Sequence, residues 1–354
     1  MPGKIIQSNN YQKFQKVQTS LLSRSTCSSA GLVKPFSGDD IGYGGLNCFG
    51  EMPQARVKID DFMKSPDALK KSQFVISGYD ESIFQYRSLE GTLNAYAHCI
   101  NSLTQSLDEY EPIIYLSLGF YTASRLLIEA NPDIGGMIHH VNGDSESQST
   151  NEGDKERFEF LLNHSTPNSI LFVDGPIFTG ASTGYNYDLS SHRLPKKNCF
   201  PVFLVKNSSS SIINDKYSLG YNNDLHWAFN LLRARERTAY FSYTSQTESG
   251  AMPRSKVFCY IKPGTDLSPC RLEMSRNIFN FFSETKIQGD NLLGLVEKTI
   301  IHQFLLNGLH RNTQVRIIEI AEKYAREALK STHIYQLADQ FGLTATMNEA
   351  RGFT

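Results

Sequence analysis

The chain has 354 residues, 40% of them hydrophobic, with 35 basic side chains against 36 acidic ones. That length and apolar content suffice for one large core or two modest ones. The near-zero charge balance excludes a global field that would gather nucleic acid, so any such binding has to come from a local patch.

Residues 1–55 are rich in Ser, Gln, Asn and Gly and read as a polar, irregular N-terminal arm. The first strand-like run is 74–78. Residues 89–103 are two-sided: Leu89, Leu93, Tyr96, Ala97, Ile100 and Leu103 fit a helical stripe, while Leu93, Ala95 and Ala97 alternate as a strand would. Residues 113–116 read as a strand, followed by a helix over 124–130 that stops before Asn131-Pro132. The polar stretch 142–153 reads as an exposed loop. A short helix carrying Phe158, Leu161 and Leu162 then leads into Ser169-Ile-Leu-Phe-Val-Asp174-Gly175, an apolar run that ends on a carboxylate and reads as a core strand. A second apolar strand spans 201–206. Asn222, Asn223 and Asp224 supply N-cap chemistry for a helix bearing Leu225, Phe229 and Leu232. Residues 257–262 and 271–273 bracket Pro263-Gly264 in a hairpin-like arrangement. A final helix carries Ile317, Ile318, Ala321, Tyr324, Ala325 and Ala328 on one stripe. Strands mixed with helices in this order predict a single α/β domain over 56–330 with a mixed sheet, and a tail over 331–354.

Cys27, Cys48, Cys99, Cys199, Cys259 and Cys270 are scattered, with no Cys-x-x-Cys pair. This argues against a zinc ribbon and for free thiols in a reducing, cytoplasmic compartment. The polar N-terminus lacks the apolar core of a secretion signal. The most apolar stretch, 113–120, is far too short to cross a bilayer.

An ordered series of motifs runs from 154 to 328. Glu156 and Glu159 stand on a helix, then Phe172-Val173-Asp174-Gly175 and Phe203-Leu204-Val205-Lys206-Asn207-Ser208 end two strands. Asp224, Arg235-Glu236-Arg237-Thr238, Tyr260-Ile261-Lys262 and Arg271-Leu272-Glu273 follow, and His302 and His310 stand eight residues apart. In order and spacing this series resembles the NurA nuclease family. The resemblance implies an RNase H-like mixed sheet flanked by helices, a divalent metal (Mn2+ or Mg2+), cleavage of DNA, a homodimer, and a HerA-type hexameric ATPase as partner. The setting it implies is DNA end processing or defence against foreign DNA.

Metal-assisted phosphodiester hydrolysis needs carboxylates converging on one side of a sheet, and oxygen-rich sites suit Mg2+ and Mn2+. Asp174 at its strand end is the leading ligand candidate. Of the helix carboxylates, Glu159 borders the apolar face and is preferred, with Glu156 competing. Asp224 is a ligand candidate or a plain N-cap, and Glu273 is a ligand candidate or a solvent-facing strand residue. Lys206 could contact phosphate. His310 could orient a phosphate or donate to a leaving group, and His302 takes the family's Tyr position. The family's first Asp has Ser77 as its nearest counterpart, so Asp80, three residues on, either substitutes or leaves the site impaired. Arg233, Arg235 and Arg237 form the candidate nucleic-acid contact. Two rival functions follow: a non-catalytic scaffold of the same fold, and a phosphohydrolase using Asp174 as nucleophile. Pro176 stands where the second rival would want another Asp.

Overall fold

The computed structural model describes residues 44–48, 54–71, 73–103, 110–130, 138–142, 145–178, 183–245, 254–307 and 314–331, with 336, 338, 342–344 and 346 beyond them. In chain order the elements begin with β1 (Gly44–Cys48), β2 (Arg56–Lys58), α1 (Ser65–Lys71), β3 (Val75–Arg87), β4 (Thr92–Leu103), β5 (Tyr110–Thr122), α2 (Arg125–Ala130) and β6 (Ile138–His140). Then come α3 (Ser145–His164), β7 (Ser169–Asp174), α4 (Thr183–Asp188), β8 (Cys199–Val205), α5 (Ile212–Tyr217) and α6 (Asp224–Leu231). The remainder is β9 (Glu236–Thr238), β10 (Phe241–Ser245), β11 (Arg254–Lys262), β12 (Cys270–Ser275), α7 (Arg276–Glu284), β13 (Lys286–Ile287), β14 (Asp290–Asn291), α8 (Leu292–Leu306) and α9 (Arg316–Ser331).

One mixed sheet organises the chain, in the order β1-β10-β11-β12-β8-β7-β3-β4-β5-β6, with β9 and β2 paired off β11. At its centre β3, β4 and β5 form an antiparallel meander, while β7 runs parallel to β3 and β8 parallel to β7. A three-strand meander extended by two parallel strands is the RNase H-like arrangement. The two parallel strands are buried along nearly their whole length, which is why they read as continuous apolar runs. Pro201 is tolerated inside β8 because β12 pairs only with Phe203, Leu204 and Val205, leaving that part of β8 without a partner on one side.

Helices cover both faces. On one face α9 buries Ile317, Ile318, Ala321 and Ala325 against β3 and β4. Gly78 permits this approach: a Cβ there would lie 2.8 Å from the Ile317 backbone. On the other face α3 places Phe160 and Leu161, and α6 places Trp227 and Ala228, over Leu171, Val173 and Phe258. Gly153 of α3 plays a similar part, since a Cβ would come within 2.6 Å of the Tyr96 ring.

The structure departs from the sequence expectations in two places, the 142–153 loop and the arm; it settles the open segment 89–103 and adds contacts for the tail. The two-sided segment 89–103 is a strand from Thr92, because helices on both faces bury every position but Ser102 and so erase the strand's alternation. The expected loop at 142–153 is instead the first half of α3 from Ser145 onward. The arm is not irregular throughout, since β1 pairs antiparallel with β10. In the tail, Leu89 and Thr346 backbone N–H groups donate to the Thr344 and Arg87 carbonyls, tying it back to the β3–β4 hairpin. Among the described residues no helix is long and apolar enough to cross a membrane.

Candidate active site

The parallel pairing of β3 with β7 sets the site. Its register runs to Tyr79 opposite Val173, so the next residues, Asp80 and Asp174, stand side by side on neighbouring strands about 4.8 Å apart. Both follow residues of the α9 face: Ile76 and Gly78 before Asp80, Ile170 and Phe172 before Asp174. In β8, Leu204 is opposite Asp174, and two residues further Lys206 returns to the same face. Its Nζ lies 2.9 Å from Asp174 Oδ2. Together with Tyr79, Glu81, Arg157, Gly175, Val205 and Asn207 these residues line a cavity of about 330 Å³ at the carboxyl ends of β7 and β8. Ligand sites of open parallel sheets form at such ends, next to the point where strand order reverses. Gly175, with φ of 93°, turns the chain away immediately after Asp174, and its N–H donates to the Leu204 carbonyl at 3.0 Å.

The two neighbouring carboxylates of β3 have opposite electrostatics. Burial, and next the charge of Asp174, raises the Asp80 pKa to about 7, although Lys206 and the hydrogen bond from the Glu81 N–H pull the other way. Glu81 points to the α3 face. Burial pushes its carboxyl up, but Arg157, His98 and Tyr79 outweigh that and hold it at about 2. Tyr79 Oη donates to Glu81 Oε2 at 2.9 Å and lies 2.9 Å from His98 Nδ1, and Arg157 Nη1 stands 3.9 Å from Glu81 Oε1. Glu81 is thus a committed anion, whereas Asp80 is a carboxyl whose charge has no full partner.

Glu81 and Arg157 were not among the residues singled out from sequence. Arg157 belongs to the stripe Gly153, Arg157, Phe160, Leu161 that α3 turns inward, a stripe masked by its glycine and arginine. Glu159 is therefore exposed and does not line the cavity. Glu156 accepts a short hydrogen bond from Ser117 of β5.

The other candidates lie apart from the pocket. Glu273 does not face solvent but is fully buried, with Oε1 2.7 Å from both Lys256 Nζ and Arg271 Nε and Oε2 accepting from the Ile177 N–H at 2.9 Å. Its oxygens are thus engaged inside the protein, and through Ile177 it anchors the loop that follows Asp174. Asp224 does not cap its own helix, because Asn223 takes that role by accepting from the His226 N–H. Instead Asp224 caps α5, accepting from the Asn214 N–H at 2.8 Å and the Ser210 hydroxyl at 3.0 Å, and burial lifts its pKa to about 7. His302 lies on α8, a helix packed on α1, where burial lowers its pKa and Asp67 is the charge acting on it. His310 lies outside the described residues. Ser77 is buried on the α3 side of β3 and hydrogen-bonds Ser102 at 2.8 Å, so it does not share the face of Asp174. Of the arginines, Arg237 is bound to Glu297 at 2.8 Å and stacks 4.7 Å over Tyr240, while Arg233 and Arg235 are exposed in the turn before β9.

Among the described residues no three His, Cys, Asp or Glu side chains form a ready metal cage. The fit to a divalent cation is narrower: two adjacent hard-oxygen ligands, one of which resists ionisation until a cation joins it.

No family model matches the chain, and no curated protein matches it. Among solved structures, the NurA nuclease from Sulfolobus solfataricus aligns over 78% of this chain and 92% of its own length, at 8% identity and a TM-score of 0.48. A NurA structure with manganese aligns over 75% and 89%, at 7% identity and a TM-score of 0.36. Endonuclease V from Bacillus subtilis aligns over 75% and 85%, at 11% identity and a TM-score of 0.35. At these identities and TM-scores the likeness decides nothing about chemistry, which rests on this chain's own pocket.

Proposed function

We propose that this chain is a divalent-metal-dependent DNA nuclease of NurA type. The observation that carries the reading is the convergence of Asp80, Asp174 and Lys206 on one open pocket at the carboxyl ends of parallel strands. Asp80 and Asp174 would hold the ion, Mn2+ or Mg2+. When bound, such an ion supplies charge to a phosphodiester and lowers the pKa of a water. Lys206 presents an ammonium to the same phosphate, and Arg157 adds a second cation on the pocket wall. Arg233 and Arg235 are exposed and would meet a nucleic-acid backbone, Arg235 from its stacked place 4.8 Å over the Phe62 ring, whereas Arg237 is held by Glu297. A cytoplasmic setting, a homodimer and a HerA-type hexameric ATPase complete the reading. The ordered motifs support them, and the buried free thiols Cys99, Cys199, Cys259 and Cys270 suit a reducing compartment.

A non-catalytic scaffold of the same fold is the second reading. It is favoured by the small number of uncommitted carboxylates in the pocket. Cleavage assays on single- and double-stranded DNA with Mn2+, on wild type and Asp174→Asn, decide between the two. Wild-type cleavage that disappears in Asp174→Asn, with an unchanged circular dichroism spectrum, is the expected result. Cleavage that survives the substitution removes the assignment of this site. A wild type inactive on every DNA substrate with its ATPase present favours the scaffold.

A further inference from the structure

We propose that Lys206 is a built-in cation standing where a two-ion hydrolase would hold its second metal, so that the pocket takes one divalent ion per chain. The inference rests on the nuclease reading above and goes further, because it fixes how many ions the site uses and why.

Position is the first argument. Lys206 Nζ sits 2.9 Å from Asp174 Oδ2, so one oxygen of the principal carboxylate already faces a positive charge. Side-chain exposures of 24% and 25% put this ion pair at the pocket mouth rather than in the core. Two-ion sites hold their metals about 3.5–4 Å apart and share a carboxylate between them. An ammonium within hydrogen-bond distance of Asp174 occupies that second place.

Ligand supply is the second argument. Three carboxylates line the pocket, but Glu81 is held by Arg157, Tyr79 and His98 on the α3 face. That leaves Asp80 and Asp174, enough to anchor one ion whose remaining positions go to water and phosphate. Charge gives the same count. The three carboxylates face two fixed cations, Arg157 and Lys206, so one divalent ion leaves the pocket slightly positive and able to take a phosphate. Two ions would leave a strong excess of positive charge around the same ligands.

Mn2+ binding to the intact chain, counted by isothermal titration calorimetry and by the loss of the free-ion electron paramagnetic resonance signal, tests this without DNA. The wild type is expected to bind one ion. Lys206→Glu, which exchanges the ammonium for a ligand, is expected to bind two. Lys206→Met keeps the side-chain length and is expected to bind one ion several-fold more tightly, which reads the lost repulsion even where Lys206→Glu fails to fold. Two ions in the wild type overturn this inference and leave the metal reading intact. A Lys206→Glu protein that folds and still binds one ion, or a Lys206→Met protein with unchanged affinity, also overturns it. A wild type that binds no Mn2+ overturns the metal reading and this inference with it.

Discussion

Replacing Asp80 by Asn isolates the electrostatic strain of the pocket. The exchange keeps the shape and keeps an Oδ1 to accept from the Glu81 N–H at 2.8 Å, while removing a charge that burial and Asp174 both disfavour. An acid whose pKa is higher folded than unfolded binds more protons in the native state between those two values. Stability therefore falls as pH rises through the window, here from 3.8 to about 7. Each unit is about 1.4 kcal/mol, so the native state loses roughly 1–2 kcal/mol at pH 5 and roughly 4 kcal/mol by pH 8. Asp80→Asn should recover that loss, stabilising the chelator-treated protein more at pH 8 than at pH 5 by about 2–3 kcal/mol. Asp224, whose pKa is also raised to about 7, titrates equally in both proteins and cancels in the difference. Urea denaturation at the two pH values, with EDTA present, measures it. Adding Mn2+ should reverse the order, because the wild type then gains the binding energy. Equal stabilisation at both pH values, or a less stable variant at pH 8, would refute the reasoning.

Glu273→Leu should cost about 3–5 kcal/mol, since it leaves Lys256 and Arg271 buried without their carboxylate and the Ile177 N–H without its acceptor. Urea denaturation reads this, and a loss below about 1 kcal/mol would contradict the buried triad. Ser77→Asp should lower the melting temperature without raising Mn2+ affinity, because Ser77 is buried beside Ser102 on the face away from Asp174. Tighter Mn2+ binding in a titration would show instead that this position faces the pocket.

Asp174 was legible because an apolar run that stops on a carboxylate marks a buried strand and its end in a single line of sequence. Asp80 was named from its nearness to Ser77, but the face it shares was not legible. In a strand buried on both faces, nothing in the residue pattern tells which side chains share a side, and only the pairing with β7 assigns Asp80 to the face of Asp174 and Ser77 to the other. The helix wheel of α3 failed for a related reason. Phe158, Leu161 and Leu162 suggested one inward direction, whereas the stripe touching the sheet includes Gly153, chosen for closeness, and Arg157, chosen for charge. Asp224 illustrates a third limit: capping rules read along one helix, and this carboxylate caps the helix before it. Glu273 was misplaced because an isolated strand carboxylate looks solvent-facing until its two cationic neighbours, one on β11 and one on its own strand, are brought together.

The bare strand at Gly78 gives the pocket a reference surface. Helices usually ride on sheets through interchangeable side chains, and substitutions let them slide by an ångström or more. Here α9 rests through its Ile317 backbone on a position with no side chain, two residues before Asp80 on the same face. The height of that helix above the strand is thus set by main chain against main chain, a dimension that surface changes along α9 cannot alter. Glu322 of α9, whose charge acts on Asp80, is held at a gauge fixed by one absent methyl group. A side chain at position 78 would act on the reaction pocket as a shim under a bearing, lifting one wall of it without touching any residue inside.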